Sequence, residues 1–403
     1  MNILVINCGS SSVKYQFFDM DKKTAVAKGL VERIGMSGAV LTHRPHGRDE
    51  VKVTGEILDH IIAIQYVISI LTSENHGVIK DVSEIHAVGH RVVHGGERFT
   101  SSALITNEVM KELRSLIDLA PLHNPHNITG IKACMANLPG IPQVSVFDTA
   151  FHHKMPPMAY IYGLPYVMYK KYSIRRYGFH GTSHSYVSER CAELMGKPRE
   201  QLKLITCHLG NGASITAIKN GISIDTSMGF TPLEGLLMGT RTGDMDPAVI
   251  LHIMGREELT LHEANTLMNK HSGLIGISGI SSDMREIESN AVKGQGNAKL
   301  ALDIYCYRLR KYIGAYSAAM GGLDAVIFTG GVGENSATVR KMTCEELKYL
   351  GIELDEEVNA AAQGKEIDIS SRNSRVRTLV IPTNEELVIA RDTEEIVEKL
   401  SNK

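Results

Sequence analysis

Two stretches about 200 residues apart share one layout. An apolar run enters a short turn of glycine and small polar residues and leaves as a second run. The first is ILVINCGSSSVKYQFF, close to the N-terminus, and the second, LITCHLGNGASITAI, occupies residues 204–218. Asn7-x-Gly9 in one lines up with His208-x-Gly210 in the other. An echo at half the chain length predicts two structurally related halves, each built on a strand–turn–strand unit. Residues 3–6 are continuously apolar, as in a strand buried on both faces. Val13, Tyr15 and Phe17 alternate with Lys14 and Gln16, as in a strand buried on one face. A third apolar run, 325–328, ends in TGGVGENS, which sets Gly330, Gly331 and Gly333 directly after a strand.

Helical periodicity over 108–119 and 301–320 falls between such runs. Residues 61–71 form the longest apolar stretch, too short to span a bilayer and suited to a buried helix. Strands alternating with helices, with glycine turns at the strand ends, predict an α/β layered fold. The expected division is one domain over 1–150 and a second over 151–384. Residues 385–403 are helical in pattern and free to return to either.

The bulk numbers exclude several classes. With 403 residues and 43% apolar content the chain supports two domains with real cores. A formal net charge of −2 leaves no broad basic field for nucleic acid or an anionic membrane. The six cysteines are scattered, with no C-x-x-C pair, as in a reduced cytoplasmic protein. No basic leader precedes an apolar core at the N-terminus, so a secretory signal is not expected.

Three glycine-rich turns at strand ends are the main chemical signal. Glycine lets backbone N–H groups approach a phosphate, and small hydroxyl and amide side chains add donors. The Walker pattern G-x-x-x-x-G-K-[ST] is absent, and G-x-G-x-x-G fails because GVGENS ends in Ser336. Each turn alone also fits a plain hairpin; the three together predict nucleotide phosphate binding. Arg91 lies inside an apolar run, Asp148 ends another, and Arg241 sits on the glycine-flanked loop MGTRTGDMDP. A buried arginine needs a partner, and a guanidinium on such a loop suits an oxyanion. A structural ion pair explains any one of them equally well. His86, His90 and His94 recur every fourth residue, but Val88, Val92, Val93 and the glycines at 95 and 96 favour a strand, which disperses that face. No H-E-x-x-H occurs, because His262-Glu263 lacks a second histidine, so a zinc site is disfavoured. His180 and His184 in YGFHGTSHSY fit a helix start or a substrate wall.

NCGSSSVKYQFF, GHRVVHGGE, PLHNP, FDTAFH, YGFHGTSH, HLGNGASITAI, MGTRTGDMDP, FTGGVGENS and PTNEELVIARDT resemble, in order and over the whole chain, the successive motifs of the acetate kinase family. The resemblance implies a duplicated ribonuclease H-like (actin-like ATPase) fold of two α/β domains with the active site in the interdomain cleft. In that fold the C-terminal helix, 385–403, returns to the first domain. It implies reversible transfer of the ATP γ-phosphoryl to acetate, giving acetyl phosphate and ADP by in-line displacement, with Mg²⁺, or Mn²⁺ in its place. It further implies a homodimer, with no nucleic acid or membrane partner.

Roles carry over position by position. Arg91 resembles the arginine that binds the acetate carboxylate, and Arg241 its partner on the transferring phosphoryl. His180 resembles the histidine bonded to that phosphoryl. Asp148 takes the catalytic carboxylate position as base, proton donor or metal organiser. Asn7 and Glu385 match the metal positions, with Glu386 adjacent. Ser10, Ser12 and Lys14 match the first phosphate loop; His208, Leu209, Gly210, Asn211 and Gly212 match the second. Asp283, Met284 and Arg285 match an adenosine-side segment, although Met284 stands where some members carry an aromatic. Gly331, Val332, Gly333, Glu334 and Asn335 match a loop that holds the nucleotide through its backbone. Val93, Leu122, His123, Phe179 and Pro232 match the acyl pocket, where valine at 93 favours acetate. The rivals are a propionate or butyrate kinase, a nucleotide-binding chaperone or filament protein of the same fold, and a route through a phosphorylated glutamate.

Overall fold

The computed structural model describes residues 1–401. The chain divides into two compact units: Met1–Ala150 with Asn384–Lys403, and Phe151–Thr383.

One eight-stranded sheet organises the first unit. Its strands are β1 (Asn2–Cys8), β2 (Ser12–Asp19), β3 (Thr24–Glu32), β4 (Ala39–Pro45), β5 (Val51–Gly55), β6 (Ala87–Val92), β7 (Ala103–Leu104) and β8 (Gln143–Phe147), in the order β5-β4-β3-β2-β1-β6-β8-β7. β1 and β2 pair antiparallel until Asn7 faces Lys14 and Cys8 faces Val13. Gly9 N then donates to Ser12 O at 2.8 Å and closes the hairpin. Leu4, Ile6, Val13 and Tyr15 enter one core with Ala63, Ile64 and Val67 of the helix His60–Leu71 and Ala133 and Cys134 of the helix Asn124–Asn137. The helix Glu385–Ser401 packs against β1, β6 and β8. A Cβ at Gly89 would stand 2.5 Å from Thr393 Oγ1, so only glycine lets β6 meet this helix.

The second unit holds a six-stranded sheet of β9 (Lys203–Leu209), β10 (Ala213–Lys219), β11 (Ile222–Thr226), β12 (Ala325–Thr329), β13 (Ile367–Asp368) and β14 (Arg377–Val380). Its order is β11-β10-β9-β12-β14-β13. Val187 and Cys191 of the helix Gly181–Met195 pack on Leu204, Ile218, Ile327 and Leu379. The helix Gly296–Met320 lies against β9 and β10.

The two sheets repeat one pattern. β3-β2-β1 and β11-β10-β9 are antiparallel, and β1-β6-β8 and β9-β12-β14 continue parallel. This is the duplicated ribonuclease H-like order, and both echoing motifs fall at the same place in it. Two local expectations change. The helix expected over 108–119 stops at Ser115, whose hydroxyl turns back to Glu112 O at 2.7 Å, and a 3₁₀ turn, Ile117–Leu119, follows. TGGVGENS is not an open turn but a short helix, Gly330–Asn335. Among the described residues, no helix is long and apolar enough to cross a membrane.

Candidate active site

In the first unit, Arg91 projects from β6 and Asp148 directly follows β8, so the parallel pairing of those strands brings them together. Arg91 Nε donates to Asp148 Oδ1 at 3.0 Å and Nη2 to Oδ2 at 2.7 Å. Asp148 keeps 2% of its side chain exposed and Arg91 24%, which leaves the guanidinium one open edge. Asp148, and more weakly Glu385 and Glu386, raise the Arg91 pKa further above its already high value. Burial pushes the Glu386 carboxyl up, and the Glu385 charge pushes it the same way. Asn7, Lys14 and Glu386 line one cavity of about 300 Å³. In the neighbouring turn Ser10 is exposed and Ser12 half-buried. His60 Nε2 meets Gly9 O at 2.8 Å and steadies that turn from behind.

Asn124 of the PLHNP motif and Asn127, two residues past it, tie backbone segments together here. Asn124 Oδ1 accepts from His94 N at 3.2 Å and its Nδ2 donates to His94 O at 3.1 Å. Asn127 Oδ1 accepts from Val93 N at 3.1 Å, while Nδ2 donates to Cys8 O at 3.0 Å. Both asparagines are buried, so their amides satisfy backbone groups that would otherwise be orphaned. One side chain thus ties the end of β1 to the residues after β6. His90, by contrast, bonds Gln143 Oε1 at 2.6 Å and His86 Nδ1 accepts from Asn2 N at 2.8 Å, so each is engaged separately. Among the described residues no group of three or more His, Cys, Asp or Glu is arranged to hold a metal.

The second unit gathers a different set. His180 sits at φ 55°, the left-handed region, just before the helix Gly181–Met195. Its Nδ1 meets Ser214 Oγ at 2.9 Å, and its ring stacks on His208 with centroids 4.2 Å apart. Arg241 Nη1 donates to Pro232 O at 3.1 Å. Among the described residues no carboxylate pairs with Arg241, and burial lowers its pKa. A Cβ at Gly212 would stand 3.3 Å from Arg241 Nη1 and 3.9 Å from His180 Nε2, so both groups converge on that glycine. Gly239 plays a matching part: a Cβ there would strike Asn211 Oδ1 at 2.0 Å.

Asn211 and Gly210 also line a cavity of about 740 Å³, with Asp283, Met284, Arg285, Gly331, Val332 and Asn335. Leu274, Ser282, Glu288, Tyr305 and Ser336 complete it; Ser282, Glu288 and Ser336 fall within the adenosine-side and TGGVGENS stretches without having been selected, and Leu274 and Tyr305 fall outside them. Leu209, Gly212, Gly333 and Glu334 do not line this cavity. Leu209 is buried in the core. Glu334 turns inward, and its Oε1 accepts from Gly330 N at 2.8 Å. Gly333 O accepts from Arg340 Nη1 at 2.8 Å. Arg340 is fully buried, holds Asn359 O and Ala362 O at 2.8 Å each, and is lowered to about 10 by burial. Of the acyl-pocket residues, Val93, Leu122 and His123 belong to the first unit, and Phe179 and Pro232 to the second. Phe179 is buried, whereas Leu122 is 58% exposed.

A family model, described as the Acetokinase family, matches residues 2–391. The acetate kinase of Desulfitobacterium hafniense strain Y51 is 59% identical over 399 residues, covering 99% of this chain and 100% of that one. That of Halothermothrix orenii is 58% identical over 398 residues, again with 99% and 100% coverage. Among solved structures, a Porphyromonas gingivalis acetate kinase superposes with a TM-score of 0.95 at 49% identity, covering 98% of this chain and 99% of that one. A propionate kinase from Francisella tularensis reaches a TM-score of 0.91 at 41% identity, with the same 98% and 99% coverage. With the paired arginine and aspartate, the converging arginine and histidine, and both glycine turns at equivalent strand ends, this chain belongs to the acetokinase family.

Proposed function

We propose that this chain is an acetate kinase that transfers the ATP γ-phosphoryl to acetate, reversibly, giving acetyl phosphate and ADP. The observation that carries the reading is the convergence of Arg241 and His180 on Gly212. Phosphoryl transfer spreads negative charge over three equatorial oxygens, so its catalyst is mainly a set of placed positive charges and donors. A half-buried guanidinium with no carboxylate partner among the described residues is such a charge.

Arg91 presents its open edge to the acetate carboxylate. Asp148 holds that guanidinium in a two-point grip, which fixes its plane. Acetate is already ionised at neutral pH, so the forward reaction needs no general base, and Asp148 acts by positioning. Arg241 neutralises the phosphoryl oxygens and His180 donates to one of them, in a direct in-line displacement. Gly210 and Asn211 hold the phosphates, while Gly331, Val332 and Asn335 line the nucleoside side of the 740 Å³ cavity. Met284 puts a thioether on that wall.

A family kinase needs a divalent metal ion, which we infer to be Mg²⁺. The donor set fits: the Asn7 amide oxygen and the Glu385 and Glu386 carboxylates are hard oxygen ligands, and a cation would relieve the adjacent charges that push Glu386 up. Mg²⁺ takes one or two carboxylates and completes its shell with waters and substrate phosphates, so a protein cluster of three carboxylates is not required. When bound, the ion neutralises phosphate charge.

Six buried free cysteines support a reduced, cytoplasmic setting. A homodimer is supported by exposed apolar side chains crowded into one segment: Met158, Leu164, Tyr166, Val167 and Tyr172. The test is to incubate the protein with ATP, Mg²⁺ and acetate and trap acetyl phosphate as its hydroxamate. Product at the level of an enzyme-free blank would end the reading. The kinship to a propionate kinase makes a longer acid the second candidate, and kcat/KM across the acid series separates the two.

A further inference from the structure

Behind His180 lies a line of buried groups that the transfer reaction does not use. His180 Nδ1 meets Ser214 Oγ at 2.9 Å, Ser214 Oγ meets His184 Nε2 at 2.7 Å, and His184 Nδ1 meets Thr206 Oγ1 at 2.7 Å. Ser214, His184 and Thr206 are all at 0% exposure. They come from three elements: β10, the helix Gly181–Met195 and β9. Burial and the neighbouring His152 and His208 hold His184 well below the usual histidine value, so it is neutral.

The direction of this line follows from counting donors. A hydroxyl has one proton to give, and a neutral imidazole has one donor and one acceptor. Among the described residues, Thr206 Oγ1 meets only His184. If it accepted from His184, its own proton would be buried without an acceptor, which costs more than a spare lone pair. Thr206 therefore donates to His184 Nδ1, and the His184 proton sits on Nε2 and is given to Ser214. Ser214 in turn gives its proton to His180 Nδ1. Reversing any one link strands a donor at Thr206 or Ser214.

We propose that Thr206, His184 and Ser214 are positioning residues whose one-way hydrogen-bond line holds His180 in its Nε2–H tautomer, so that the ring offers the transferring phosphoryl a donor and not a lone pair. Nε2 is also the nitrogen that lies 3.9 Å from the Gly212 Cβ position, on the side of Arg241. The proposal rests on the phosphoryl role assigned to His180, but the line itself is independent of it.

The experiment uses the full chain with ¹⁵N-labelled histidine, the His180 and His184 signals being identified by their loss in His180→Ala and His184→Gln. Both rings are expected to carry the proton on Nε2, and an Nδ1–H form of either overturns the proposal. Ser214→Ala is expected to lower kcat about tenfold while the KM for ATP moves less than about twofold, and to give His180 a mixed tautomer. Ser214→Thr, which keeps the hydroxyl, restores most of the rate and the Nε2–H signal. A kcat equal to the parent's in a folded Ser214→Ala protein also overturns the proposal. If that variant does not fold, the parent spectrum alone decides. A parent that makes no acetyl phosphate removes the kinase reading and leaves the tautomer measurement to stand or fall separately.

Discussion

The two glycine turns occupy the same position in two sheets of the same order, yet they are furnished differently. The first, at Gly9, is closed by a 2.8 Å bond to Ser12 O and lies near Lys14, Glu386 and the Arg91–Asp148 pair. The second, at Gly210, is closed by a 3.1 Å bond to Gly212 O and is backed by His180, His184 and His208. Carboxylates gather near the first; three histidines gather near the second, with an arginine that no carboxylate pairs among the described residues. Duplication kept the backbone geometry, while the side chains divided the work. In the proposed function, one half serves the cation and the carboxylic acid, and the other serves the phosphoryl group and the nucleoside.

The contrast is sharpest in its two arginines. Arg241→Ala removes a charge that no carboxylate pairs with among the described residues, so it should cost rate and spare the fold. We expect kcat to fall about 10³-fold with ATP affinity and the urea midpoint nearly unchanged; a matching loss of nucleotide binding would show that Arg241 serves the substrate complex as much as the transfer. Arg91→Ala instead takes the two-point guanidinium partner away from the buried Asp148 carboxylate. Urea titration should show about 3 kcal/mol of lost stability, together with a raised KM for acetate, and an unchanged midpoint would mean that Asp148 is satisfied without Arg91.

Acid stability probes the histidine bed of the second unit. His152 is lowered from 6.5 to about 4 by burial, with Ser223 and Phe179 O as its partners. The unfolded chain takes up a proton below 6.5 where the folded chain does not, so stability falls as pH drops toward 4 and levels off below it. In His152→Asn the slope of unfolding free energy against pH between 5 and 6.5 should flatten by about 1 kcal/mol per unit. Parallel slopes would place the acid sensitivity elsewhere. The smallest effect concerns the acid. Val93→Ala should raise the propionate-to-acetate ratio of kcat/KM about fivefold, within the worth of one methylene, and an unchanged ratio would take residue 93 out of the pocket.

Much of this was legible from residue order. The apolar runs gave β1, β9 and β12, and the glycines after them marked the strand ends where the polar groups gather. The half-chain echo became the shared strand order. What residue order hid depends on partners far apart in sequence. Asn127 bonds Cys8 across 119 positions, and Ser214 bonds His184 across 30. A serine in an apolar strand gives no sign of the histidine it will meet. The inward turn of Glu334 was hidden for another reason: a carboxylate in a glycine loop reads equally well as ligand contact or helix cap.

That inward turn bears on turnover. A helix start with free amides grips phosphate strongly, and a nucleotide held that way leaves slowly. Glu334 occupies the Gly330 amide from within, so in the proposed function that one amide is taken by the protein's own carboxylate and is not offered to a phosphate. On that reading ATP and ADP are each held through one backbone donor fewer, which favours release in either direction.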